Sequence, residues 1–153
     1  MKRLAWIGLF VALVVPAVMA GAKETKTVKP WDQDAVTALG TKLQSLVSSI
    51  YTAAYLDPTG GDLPGFMGNP HFQFMDTLRV LRSEALHYRG ILRKGAGRDA
   101  SFPVVKRLNE LNDDIVEDAL QIHLDAPVPD QLAELKKLMA EINAYYGYRG
   151  AEI

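Results

Sequence analysis

Apolar residues recur along this chain in four separate stripes, each stepping by three or four positions. Val36, Leu39, Leu43, Leu46, Val47, Ile50 and Ala54 form the first, and Phe74, Leu78, Leu81, Ala85, Tyr88 and Leu92 the second. Val104, Leu108, Leu111, Ile115, Ala119 and Ile122 form the third, and Leu132, Leu135, Met139, Ile142 and Tyr146 the fourth. This period matches one buried face of an α-helix. No segment alternates with period two over a useful length, so no sheet is expected. Four amphipathic helices with two short connections predict an all-α fold, an antiparallel up-down four-helix bundle.

Capping and helix-breaking residues divide the chain at matching places. Asp32 is placed to cap the first helix and Asp57-Pro58 to stop it. Asn69 and Pro70 make a cap and first-turn pair for the second, which Gly95 to Gly97 ends. Ser101 is placed to cap the third helix and Pro127 to end it; Asp130 starts the fourth, which finishes at Gly147 and Gly150. The remaining connection, DPTGGDLPGFMG over 57–68, is long and holds Leu63, Phe66 and Met67. It reads as a crossover that closes one end of the bundle, with a binding loop as the functional alternative. Its acids lack the spacing of a calcium-binding EF-hand loop.

Ahead of these helices, Lys2 and Arg3 precede an uncharged run from Leu4 to Ala20, and Ala20-Gly21-Ala22 is a small-x-small site. That order predicts a secretory signal peptide over 1–22, cleaved after Ala20 or Ala22. The apolar run is short for a spanning helix and is interrupted by Pro16. No stable membrane anchor is expected after cleavage. Residues 23–30 then read as a polar linker and 31–150 as the bundle domain.

Composition narrows the function further. Loss of Lys2 and Arg3 takes the formal charge from −1 to −3, so no basic footprint for nucleic acid is expected. There is no cysteine. Disulfides, zinc ribbons, thiol redox chemistry and C-x-x-C-H haem attachment are thereby excluded. The second helix is basic, with Arg79, Arg82, Arg89, Arg93 and Lys94 against Asp76 and Glu84. The third is acidic, with Glu110, Asp113, Asp114, Glu117 and Asp118 on one face opposite its core stripe. Such runs read first as solvated faces that complement each other.

Candidate chemistry is sparse. Glu84 and His87 form an E-x-x-H pair on a helix, the unit that di-iron bundles use twice. The second copy is missing, because Leu120 stands three residues before His123. His71 falls in the first turn of helix two, His87 beside the core stripe, and His123 near the end of helix three. No nucleophile, base and orienting group can be assembled from the sequence, so an enzyme is not expected. Tyr145, Tyr146 and Tyr148 end helix four, and Tyr51, Tyr55 and Tyr88 are placed to join them inside. They either close the bundle end with wet hydroxyls or line a pocket for a small apolar ligand.

Asp118-Ala119-Leu120, then Asn143-Ala144-Tyr145 with Tyr148-Arg149, resemble the third helix and C-terminal ending of the cytochrome b-562 family. The first helix is loosely similar around Asp34 and Leu39. The resemblance implies a periplasmic four-helix bundle. It also implies two haem-ligand positions, a Met early in helix one and a His late in helix four. Val36 stands near the first and Tyr146 at the second. Valine cannot ligate iron. A phenolate can ligate ferric haem, after losing a proton whose ordinary pKa is about 10. The expectation is an exported bundle without a cofactor, binding an envelope protein or a small apolar ligand. Haem b held by Tyr146 or His87 for electron transfer is the alternative.

Overall fold

The computed structural model of the chain describes residues 28–56 and 70–148. Four helices, α1 (Gln33–Tyr55), α2 (Pro70–Arg93), α3 (Arg98–Ala119) and α4 (Val128–Tyr146), account for its regular structure. No strand occurs among the described residues. α1 and α3 each pack against both α2 and α4, so the helices form a square in chain order, an all-α four-helix bundle. No helix among them is long and apolar enough to cross a membrane. The expected signal peptide, the 57–68 connection, Asn69 and Gly150 lie outside the described residues.

Local chemistry explains most helix ends. Asp32 caps α1: its Oδ1 accepts from the Ala35 N–H at 3.0 Å, a contact worth about 1 kcal/mol. α2 begins on Pro70, whose missing N–H costs nothing in a first turn. It stops where Gly95 turns left-handed at φ 84° and the Ala96 N–H returns to the Ile91 carbonyl at 3.0 Å. Gly147, at φ 66°, ends α4 in the same way.

Three expected ends fall elsewhere. Gly97, not Ser101, occupies the cap of α3. Ser101 lies one turn inside, where its hydroxyl donates to the Gly97 carbonyl at 2.8 Å. α3 closes at Ala119 rather than running on to Pro127. Leu120, Gln121 and His123 are exposed, and Ile122 and Leu124 reach the core edge from non-helical backbone, so no continuous helical stripe is there to sustain two further turns. α4 starts at Val128, two residues before Asp130. Val128 is buried, and Pro129 suits the first turn.

The stripes of α1, α2 and α4 enter the core as the pattern predicts, with Leu39, Leu46 and Leu132 at its edge. α3 is rotated. Val105 rather than Val104 is central, and Ser101, Asn109, Asn112 and Asp118 are buried beside the leucines. Asp118 therefore does not belong to the solvated acidic face, while Glu110, Asp113, Asp114 and Glu117 do. Its Oδ2 accepts from Thr77 Oγ1 of α2 at 2.9 Å. Asn109 and Asn143 exchange amide hydrogen bonds at 2.9 and 2.7 Å across the α3–α4 seam. Each amide satisfies the other, so a polar pair is tolerated there. At the α1–α2 seam Gly40 does the opposite work. A Cβ on it would lie 2.9 Å from Leu92 Cδ1, so its small size lets the two helices approach.

Residues 28–32 are stitched onto the bundle rather than trailing from it. The Lys29 N–H donates to the Ala144 carbonyl at 2.9 Å, and Arg98 Nη2 donates to the Lys29 carbonyl at 2.9 Å. The start of α1, the end of α2, the start of α3 and the end of α4 thus meet at one end of the molecule.

Candidate functional site

That end holds the most developed polar arrangement in the core. Tyr88 on α2, Ser101 on α3 and Tyr146 on α4 point their hydroxyls at one another. Tyr88 and Tyr146 are 3.0 Å apart, and Tyr146 and Ser101 are 2.7 Å apart. The Ser101 proton goes to the Gly97 carbonyl, which leaves its oxygen to accept from Tyr146, which in turn accepts from Tyr88. This direction satisfies every hydroxyl proton; the reverse would leave the Tyr88 proton without an acceptor.

Aromatic rings wall the arrangement in. Trp31 meets Tyr146 edge-on at 5.4 Å, and Phe102 stacks on it at 6.2 Å. Tyr148 closes on Phe102. Burial pushes the Tyr88 phenol far above its ordinary pKa, and donation to Tyr146 adds to this. Burial raises Tyr146 as well, against the opposing pull of its hydrogen bonds with Ser101 and Tyr88 and of the Arg98 charge. Both side chains are held as neutral phenols.

Val36 is fully buried near the start of α1, and Tyr146 is 8% exposed near the end of α4. The two positions that the family resemblance singles out therefore share one end of the bundle. Outside them, a shallow open depression is lined by Lys29, Pro30, Trp31, Asp32 and Tyr145. Arg98 lies over Trp31, and Lys29 over Tyr145.

The other candidates are scattered. Glu84 Oε1 and His87 Nδ1 do come together at 3.4 Å, but His87 is an exposed side chain rather than a flank of the core. Among the described residues no three His, Cys, Asp or Glu side chains converge as metal ligands. His71 stands in the first turn of α2, as expected. His123 falls in the α3–α4 connection, 3.3 Å from Asp125 Oδ1, not on a helix terminus. Tyr88 joins the interior, whereas Tyr51 is half-buried and Tyr55 exposed, the two stacked at 6.4 Å on the outside of α1. Ser101 is the member of the hydroxyl chain whose place the sequence pattern misassigns, as a cap. Its only sequence signal is its position three residues before the stripe residue Val104, which suits a cap equally well.

The fold and this hydroxyl-linked aromatic end define an all-α four-helix-bundle protein. No protein-family profile, no curated protein and no solved structure matches the chain.

Proposed function

We propose that this chain is a binding protein of the cell envelope, a b-562-like bundle that keeps its core for structure and works through its outer faces. The observation that carries the reading is the closed Tyr88–Tyr146–Ser101 chain. A haem held at the family's positions would need donor atoms from Val36 and Tyr146. Valine offers none. The Tyr146 oxygen is engaged by two neighbours, and burial disfavours the phenolate that iron requires. These residues do not fit the cofactor. Glu84 is half-buried and His87 exposed, and among the described residues no third His, Cys, Asp or Glu converges on them. The signal-like N-terminal pattern supports the envelope location.

An absorption titration of the purified protein with haem, beside a Tyr146→Phe variant, tests the reading. The expected result is no saturable Soret shift in either protein. A sharp shift at one equivalent, lost in the variant, would overturn it and establish a tyrosine-ligated cytochrome.

A further inference from the structure

The outer face shared by α1 and α2 carries arginines without carboxylate partners. Arg82, Arg89 and Arg93 are spaced by seven and four residues, so they lie in a row about 16 Å long on α2. Among the described residues, arginine ion pairs are made by Arg79 with Asp76 and Arg107 with Glu110, and none by this row. The neighbouring helix offers no compensation, because α1 contains no acid from Val36 to Tyr55.

Facing the row, α1 presents a ladder of uncharged polar and aromatic groups: Gln44, Ser48, Tyr51 and Tyr55. The two sides are already joined. Arg89 Nη1 donates to Gln44 Oε1 at 2.7 Å, and Gln44 Nε2 donates to Ser48 Oγ at 3.1 Å. The Arg89 Nε is buried without an acceptor. Arg82 lies 5.2 Å from the centre of the Tyr51 ring. Tyr51 and Tyr55 stack within 11° of parallel, and Tyr55 is 72% exposed, so one flat aromatic face is open to solvent.

We propose that this face binds a linear acidic polysaccharide, its carboxylate or sulfate groups on the arginine row and a sugar ring on Tyr55. The proposal rests on the surface-binding reading above and names its partner. Three features select this chemistry. The anionic sites must repeat along a line, as charges on a polymer do. Hydroxyl and amide groups beside them on α1 suit a ligand rich in hydroxyls. An exposed flat ring beside the Arg82 end of the row, stacked on Tyr51, offers a surface for the apolar face of a sugar. An acidic protein partner would be expected to meet a buried apolar anchor pocket at its centre. Within the row the exposed apolar side chain is Leu86, set between two arginines, Arg82 and Arg89.

Calorimetric titration of the protein with polygalacturonate, with neutral dextran as comparison, tests the proposal. Binding of polygalacturonate alone is expected, weakening as salt rises because the contacts are exposed and screened. The variant R82Q/R89Q should bind roughly tenfold more weakly, and Tyr55→Ala several-fold. K136Q/K137Q removes the same charge from the exposed surface of α4 and should stay within about twofold of wild type. Helical circular dichroism of each variant verifies that it folds. Absence of polygalacturonate binding, equal loss in the two double variants, or preference for polyglutamate or phosphatidylglycerol vesicles would overturn the proposal. Such a failure beside a silent haem titration counts against the polysaccharide alone; a positive haem titration removes the reading beneath it.

Discussion

Replacing Tyr146 by Phe removes the middle hydroxyl of a three-member chain, and the structure sets what each neighbour loses. Ser101 keeps its bond to the Gly97 carbonyl. Tyr88 is fully buried and keeps nothing, because Tyr146 is its hydrogen-bond partner. An unmet buried hydroxyl costs about 1–3 kcal/mol, on top of about 1 kcal/mol for a lost bond. Tyr146→Phe should therefore destabilise by about 2–4 kcal/mol. Tyr88→Phe removes only the outermost donor and should cost about 1 kcal/mol, since Tyr146 still donates to Ser101. In the double variant no hydroxyl is stranded, so the loss should fall below that of Tyr146→Phe alone. Tyr88→Phe thus changes sign with background, costing stability in wild type and restoring it beside Tyr146→Phe. Urea unfolding followed by circular dichroism measures all four proteins, and Trp31, which touches Tyr146, gives a second probe. Equal effects of Tyr88→Phe in both backgrounds would refute the reasoning.

Alkaline stability follows from the same two phenols. Both have folded pKa values raised above the unfolded value of about 10. Their stabilisation is whole below pH about 10 and declines as pH climbs beyond it. Urea midpoints above pH about 10 should therefore fall more steeply in wild type than in Y88F/Y146F. Asn109→Leu should cost about 1–2 kcal/mol by stranding the Asn143 amide, and adding Asn143→Leu should recover most of it, as read by denaturant midpoints. At Gly90 no atom lies within 4 Å of an added Cβ, so Gly90→Ala should raise stability by about 0.5–1 kcal/mol. Gly40→Leu, forced against Leu92 and Tyr88, should lower it by about 1–3 kcal/mol, both glycine variants being read by urea midpoints.

Three of the four helices could be read from periodicity because their buried faces are almost wholly apolar. α3 could be phased only in part: Leu108, Leu111 and Ile115 of its stripe are in the core and Val104 and Ala119 at its edge. Ser101, Asn109, Asn112 and Asp118 sit inside, and each scores as surface in a hydrophobic pattern. Their burial depends on partners from other helices, Tyr146, Asn143 and Thr77 among them. Such pairings follow from the register between helices, which local spacing does not carry. The same limit applies to the site. Tyr146 was placed in the core by its stripe, whereas its union with Tyr88 and Ser101 spans 58 and 45 residues of chain. Glu84 and His87 show the converse. Their spacing brought them together, but with Glu84 half-buried and His87 exposed, at the rim of the bundle where an E-x-x-H is an ordinary pair.

The Lys29–Ala144 hydrogen bond has a mechanical consequence. It places residues 28 and 148 at the same end of two neighbouring antiparallel helices. A pull applied to both would peel α1 from α4 one turn at a time, loading contacts in sequence rather than together. The seam would part from its aromatic end at low force, and the Lys29–Ala144 bond, with Trp31 behind it, would be the first to give.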